Sequence, residues 1–255
     1  MQIDTGIVFV LVPGGTFTMG AQRNDPAAAN HDPKASGTEG PPHQVTLAPY
    51  FLARHELTQG QWLRLSDGEA PSQYRFGQFC EGELVTQANP VEGVDWNACT
   101  LLLGRHGMSL PTEAQWEYAC RAGTTTPWFC DFEKLADHAN LADATAGKRG
   151  IAGAEAWNDG HLIHARVGSY TANDFGMYDM HGNVAEWCRD AYGPYEAELQ
   201  AGDGLRLVHD AQRVRRGGEW QGAAVYARSS ARVALPSTAH GNRMGLRAAR
   251  GLTAR

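Results

Sequence analysis

The stretch from Phe129 to Val167 limits the possible folds most, because it follows neither helical nor strand periodicity. Its segments 143–153 and 157–160 are typical of irregular loops. A connection this long inside a compact domain is commonly functional, or is organised by something other than backbone ladders. The 30 glycines, 12 prolines and 7 tryptophans of the 255-residue chain also favour a loop-rich fold over a helical bundle.

Short regular elements flank this stretch. Buried or alternating apolar runs predict strands, and residues that cap helix ends predict three helices. Thr112 and Gln115 have the spacing of a capping box. No repeat or linker divides the chain, so we expect a single domain over residues 1–255. The patterns predict strands at 7–13, 16–20 and 43–47, helices at 59–65, 95–106 and 112–122, and a long surface loop at 21–42.

Charge and composition exclude several classes of partner. The net charge of −6 argues against binding to a nucleic-acid backbone, which requires a basic surface. No segment has the apolar length of a membrane span, and no signal peptide is visible. The five cysteines are odd in number and form no CxxC pattern, which predicts reduced thiols in a cytoplasmic protein. Delivery to the cell surface or secretion stays open.

Six motifs in a fixed order resemble the formylglycine-generating-enzyme family, also called the sulfatase-modifying-factor family. The resemblance covers nearly the whole chain. It implies an α+β domain with the C-type-lectin-like fold of that enzyme type, with short twisted antiparallel sheets, a few helices and much irregular loop structure. The motifs lie at 13–20, 56–62, 90–96, 110–118, 175–188 and 216–220, and Gly245-Leu246-Arg247 follows them.

The segment 179–186 has chemistry that suits calcium. Carboxylates at both ends enclose a glycine and several carbonyl groups, and calcium prefers six to eight oxygen ligands. The alternative is that these carboxylates cap turns and pair with arginines. The resemblance implies one structural site from the side chains of Asp179 and Glu186 with the carbonyls of Gly182 and Val184, and a second from Asn140 and Asp159 with the carbonyls of Leu141 and His161.

The catalytic residues of the family are missing. Its enzymes resemble copper-dependent oxidases with two cysteines shortly after a Gly-Gly-x-aromatic motif. In this chain those positions correspond to Gly222 and Ala227, and no cysteine follows Cys188. A thiolate is a soft metal ligand and a strong nucleophile that neither residue can replace. We therefore expect no copper and no oxidase activity.

The stretch 221–242 differs in composition from its neighbours, which match the family. Each residue from 222 to 242 can be encoded by a codon that differs from AAC only at its adenines. This resembles the variable region of proteins diversified by diversity-generating retroelements, which mutate adenines. Arg228 and Arg232 would hold the loop through carboxylates or carbonyls. The expected contact residues are Gly222, Ala223, Val225, Tyr226, Ala231, Val233, Leu235, Ser237, His240 and Asn242.

These features favour a non-catalytic module that binds a protein or another macromolecule. An ordinary loop in a degenerate member of the oxidase family is an alternative reading of 221–242. A different enzyme on this scaffold would use His181, Glu186 and Asp190, which lie close together in the sequence. A third alternative is an accessory domain of a larger signalling protein such as a kinase.

Overall fold

The computed structural model describes residues 6–252. Short strands and helices alternate with long irregular connections in that range. The strands are β1 (Phe9–Val12), β2 (Gly15–Met19), β3 (His43–Leu47), β4 (Tyr50–Ala53), β5 (Phe79–Cys80), β6 (Glu83–Leu84), β7 (Ala185–Ala191), β8 (Gln212–Arg216), β9 (Val233–Pro236), β10 (Met244–Gly245) and β11 (Ala249–Gly251). The helices are α1 (Gln59–Leu65), α2 (Trp96–Arg105), α3 (Glu113–Arg121) and α4 (Ala144–Lys148).

The strands form four small sheets. One has the order β1-β4-β11, a second has the order β10-β7-β8-β9, and two two-stranded sheets pair β2 with β3 and β5 with β6. Strand pairing is antiparallel except between β10 and β7. The predicted α+β architecture with short sheets and few helices is confirmed. Within residues 6–252, no helix combines the length and apolar character needed to cross a membrane.

The three predicted helices are present because their first turns are capped. The hydroxyls of Thr58 and Thr112 accept the backbone N–H three residues later, and Gln61 and Gln115 complete the capping boxes. Asp95 caps α2 in the same way. These caps are local in sequence, which is why the pattern of residues predicts them.

The irregular stretch has a small core of its own. Leu135, Ala139 and Leu141 pack there against Ala224 and Ala227 from the far end of the chain. Two larger clusters lie under the sheets, one around Trp116 and the other around Trp187. The segment that follows β8 therefore rests directly on the 129–167 region.

Two expectations about loops need correction. The 21–42 loop is not wholly on the surface, because Asn30, Asp32 and Glu39 are buried. Asp32 and Glu39 turn inward to bind an arginine, which compensates their burial. The 221–242 stretch also contains a strand, since β9 pairs with β8 at the edge of the second sheet.

Candidate functional site: the exposed 222–242 segment and its supports

A buried ionic network holds the middle of the 222–242 segment. The guanidinium of Arg228 donates to both carboxylate oxygens of Glu39 at 2.8 Å and also binds Asp32. Ser230 Oγ donates to Glu39 at 2.7 Å. Burial alone would raise the pKa of Glu39, but the Arg228 contacts hold it below its usual range. Arg228 therefore has the scaffold role predicted for it.

A second arginine, Arg232, holds the same segment by hydrogen bonds. Arg232 donates two hydrogen bonds to Glu113, at 2.6 and 2.7 Å, and a third to the carbonyl of Gly193 at 2.9 Å. Arg216, from β8, binds Glu113 and Glu117 from the other side. We call this network the arginine clamp. Its members are Arg216, Arg228 and Arg232 with Asp32, Glu39, Glu113 and Glu117.

The clamp divides the predicted contact surface in two. Residues 227–232 are all buried, whereas Ala223, Val225 and Tyr226 on one side and residues 233–242 on the other are half-buried or exposed. Tyr226 is 64% exposed and Val233 36% exposed, and His240 is exposed. Ala223, Val225, Leu235, Ser237 and Asn242 are half-buried.

For two residues, the prediction of ligand contact is wrong. Gly222 and Ala231 are both buried, so neither can touch a ligand in this conformation. The Gly222 carbonyl accepts a hydrogen bond from the backbone of Ala142 at 3.0 Å, which ties it to the irregular stretch. Ala231 lies between Arg228 and Arg232 in the buried stretch 227–232.

The positions aligned with the oxidase cysteines are tightly packed. Ala227 is completely buried, and a Cβ added at Gly218 would lie 2.7 Å from the Ala227 Cβ. Gly218 has a φ of +73°, a conformation that suits glycine. His181 Nδ1 donates to the Ala227 carbonyl at 2.6 Å, and His181 Nε2 accepts from the backbone of Phe129 at 3.1 Å. Packing at this point leaves Ala227 no access to solvent.

The alternative catalytic residues do not form an accessible group. His181 is completely buried, and burial lowers its pKa to about 3. Glu186 accepts hydrogen bonds from Arg247 and from Trp116. Asp190 is buried as well, and it accepts from the backbones of residues 113 and 206. Each of the three side chains is thus buried and bound to structural partners.

The 179–186 segment partly fits a calcium ion. One carboxylate oxygen of Asp179 accepts from the backbone of Gly168 at 2.7 Å, while the other, Oδ1, is buried without a hydrogen-bond partner in residues 6–252. Pairing of Glu186 with Arg247 matches the alternative expectation for that carboxylate. A buried unpaired oxygen is costly, which makes Asp179 the better candidate ligand of the two.

Glu56 is a third carboxyl group at this point, and the sequence prediction missed it. Its oxygens accept from Asn183 Nδ2 at 2.7 Å and from the backbone of Val184 at 3.0 Å. Burial and the nearby Asp179 and Glu186 raise the pKa of Glu56 well above its usual value. Burial likewise raises the pKa of Asp179 to about 6. Three carboxyl groups thus interact with one guanidinium, that of Arg247, and a nearby divalent cation would favour their ionised forms. The only sequence signal for Glu56 was its place in the 56–62 motif.

The second predicted calcium segment lies beside the first. Gly182, at a φ of +84°, leaves no room for a Cβ against the carbonyl of Asn140, and Asn183 N donates to that carbonyl at 2.8 Å. Asn140 Oδ1 is buried without a partner in the described residues. Asp159 accepts from the backbones of Leu141 and His161. These backbone contacts bring the residues of the second segment together.

Side-chain clusters alone do not define a metal site here. Residues 6–252 contain no group of three or more His, Cys, Asp or Glu side chains arranged to hold a metal ion. The imidazole of His161 is bound to Glu83 at 2.6 Å, which leaves only its carbonyl for the predicted role. Burial raises the pKa of Asp159 to about 6. Any calcium ion would therefore depend on backbone carbonyls as well as side chains.

Residues 4–252 match the sulfatase-modifying factor enzyme 1-like domain. The chain belongs to this family. It is 29% identical over 266 residues to the formylglycine-generating enzyme of Streptomyces coelicolor, covering 83% of this chain and 78% of that protein. It is 30% identical over 233 residues to the serine/threonine-protein kinase pkn1 of Chlamydia caviae, covering 83% of this chain but 33% of the kinase. The chain therefore spans about a third of the kinases that it matches.

Two solved structures share the fold over almost the whole chain. PvdO from Pseudomonas aeruginosa has a TM-score of 0.78 and 27% identity, with coverage of 96% of this chain and 94% of that one. Treponema denticola variable protein 1 has a TM-score of 0.74 and 23% identity, with coverage of 96% and 95%. The family therefore includes enzymes, and a protein described as variable has the same fold.

Proposed function

We propose that this protein is a non-catalytic module that binds a macromolecular ligand, preferably a protein, through a surface formed by Ala223, Val225 and Tyr226 and by residues 233–242. The arginine clamp is the observation that carries the proposal. It anchors residues 227–232 in the core while Tyr226, Val233 and His240 point to solvent. Exposed positions on both sides can therefore change without disturbing the core.

The aligned cysteine positions favour binding over oxidation. Gly222 and Ala227 offer neither a thiolate ligand nor a nucleophile, and both are buried. Copper-dependent chemistry of the family's enzymes has no counterpart in these two side chains. Tyr226 and His240 instead provide amphipathic contacts that suit recognition of a protein surface.

We propose further that the 222–242 segment is diversified by a retroelement. Its support is that every residue from 222 to 242 can be encoded by a codon that differs from AAC only at its adenines, together with the fold shared with a variable protein. The test is to sequence the DNA a few kilobases on either side of the gene. A near-copy of codons 217–247 that differs only at its adenines, next to a reverse transcriptase gene, is the expected result. No such copy would leave a non-catalytic family member with an ordinary loop.

The role of an accessory domain in a signalling protein is a second candidate. The 30% identity to the pkn1 kinase over most of this chain supports it. In that case the same surface would bind a signal for the attached domain. Reading the open reading frame beyond both ends of this sequence tests it, because a kinase domain in the same frame is required.

A structural calcium ion is a third part of the proposal. The unpaired oxygens of Asp179 and Asn140 and the three carboxyl groups that interact with Arg247 support it. When bound, the ion would cross-link irregular segments that lack strand ladders. We assign it no part in catalysis.

A further inference from the structure

A cleft distant in sequence from the 222–242 surface has the features of a small-ligand site. It encloses about 270 Å³ between β2, the end of α3 and the loop before β7. Three aromatic rings line it, those of Phe17, Tyr118 and Phe175. The Phe17 and Tyr118 ring centroids are 5.1 Å apart at 49°, and those of Tyr118 and Phe175 are 5.4 Å apart at 63°. The rings thus form a cup rather than a parallel slot.

Asn30 lines the same cleft with an unused acceptor. The side chain is 3% exposed, and its Nδ2 donates to the carbonyls of Thr18 and Gly20, both at 2.7 Å. Carbonyl oxygens can only accept, so this contact fixes the amide orientation. Asn30 Oδ1 is then buried without a partner in the described part of the chain. Such an oxygen requires a hydrogen-bond donor, which a ligand can supply.

Arg121 places donors next to this acceptor. Its Nη2 donates at 3.1 Å to the carbonyl of Gly20, the same oxygen that Asn30 binds. Its other bonds run to Glu117 and to the carbonyl of Thr126. Because a guanidinium carries five N–H donors, some remain beyond these three bonds. Asn30 and Arg121 therefore line the cleft together with the three aromatic rings.

We propose that this cleft binds a single neutral sugar ring. A pyranose has an apolar C–H face, which suits the aromatic cup, and a rim of hydroxyls that both donate and accept. One hydroxyl can donate to Asn30 Oδ1 while it or its neighbour accepts from Arg121. Arg121 is already paired with Glu117, so the cleft offers hydrogen-bonding groups without an unpaired charge, which favours a neutral ligand. A flat base would pack poorly between rings that are inclined to each other.

The test is an amide NMR titration with the methyl glycosides of glucose, galactose, mannose and N-acetylglucosamine. A single sugar ring binds in the millimolar range, so each is added to about 50 mM. We expect at least one glycoside to give saturable shifts centred on Asn30, Arg121 and Thr125. If none does, or if uracil saturates these amides and no glycoside does, the proposal is wrong.

Two variants locate the binding. Thr125→Trp adds bulk at an exposed residue that lines the cleft and leaves the core intact. Phe175→Leu removes one wall of the aromatic cup. Each should weaken binding of the active glycoside about tenfold or more, while thermal stability confirms folding. The matched control Phe79→Leu replaces a ring that is 76% exposed elsewhere and should change nothing. Equal affinity in Thr125→Trp would contradict the site.

Discussion

Tyr226 and Ala227 are neighbours in the chain with opposite environments, the first 64% exposed and the second completely buried. From composition alone, both residues are expected in one surface loop. The structure separates them, because the chain turns inward at Ala227 to reach Arg228 and its carboxylate partners. At the scale of residues, the proposed ligand surface therefore has a sharp boundary.

Replacement of Tyr226 by alanine tests that boundary. We expect the free energy of unfolding to change by less than about 0.5 kcal/mol, since the substitution lies on the surface. Tyr195 is the matched control. It is 4% exposed and lies under the guanidinium groups of Arg206 and Arg232, so Tyr195→Ala should cost about 3–5 kcal/mol. Urea denaturation measures both, and a large loss in Tyr226→Ala would contradict the surface assignment.

Glu92 provides a pH-dependent prediction. The side chain is completely buried, its Oε2 has no partner in residues 6–252, and burial raises its pKa to about 7 from 4.5. A carboxyl group with a raised pKa in the folded state stabilises the fold while protonated. That contribution is complete below about pH 4.5 and is lost as the pH rises through about 7.

Glu92→Gln should therefore remove this loss. The free energy of unfolding of the variant minus that of the wild type should therefore increase by about 2–3 kcal/mol from pH 5 to pH 8. Denaturant titrations at the two pH values measure the difference. The exposed Glu69→Gln serves as the control. Parallel pH profiles for Glu92→Gln and the wild type would show that Glu92 is ionised throughout.

The sequence could assign carboxylates to a site only when they lay in one segment. Asp179 and Glu186 are seven positions apart in a single motif, whereas Glu56 comes from the other half of the chain. Likewise, the residue types at Gly222 and Ala231 carry no information about their burial. Contacts between residues far apart in the sequence determine both the position of Glu56 and the burial of these two residues. No local sequence pattern indicates such contacts.

At the scale of elements, the arginine clamp joins four parts of the chain. Arg232, from the buried stretch 227–232, binds Glu113 at the start of α3, and Arg216 from β8 binds the same carboxylate. The sequence predicted the scaffold role of Arg228 and Arg232, but it did not identify their partners. Asp32 and Glu39 lie in a loop whose polar composition indicated only surface.

Arg232→Ala should strongly destabilise the protein. Removal of one partner leaves Glu113 with less compensation for its burial, and breaking a buried ion pair in this way costs about 3–5 kcal/mol. The control is Arg250→Ala on β11, where the side chain is exposed. We expect that variant to stay within about 0.5 kcal/mol of the wild type in urea denaturation. A similar small effect at Arg232 would mean that the clamp does not anchor the segment.

At the scale of the whole molecule, regular structure accounts for only part of the order. Helices α1 to α3 and strands β1 to β3 were predictable from caps and apolar runs, since those signals are local. The short helix α4 corrects the expectation that 143–153 is only an irregular loop, because Asp143 caps it. The 129–167 region was predicted only as irregular. Its order comes from a small core shared with Ala224 and Ala227 and from buried polar contacts around Asn140 and Asp159. A bound cation would add to these contacts.

Calcium should therefore stabilise the whole domain. An ion bound only to the folded state adds about 2.7 kcal/mol at a free concentration 100 times its Kd. We expect the Tm of metal-free protein to rise when calcium chloride is added, and to rise less in Asp179→Asn and Asp159→Asn. Each variant tests one of the two sites, and the exposed Asp25→Asn is the matched control. Magnesium should raise the Tm less than calcium does, because it requires near-octahedral geometry and retains its bound water. An unchanged Tm after exhaustive chelation would remove both sites, whereas a full calcium response in both variants would place the ion elsewhere.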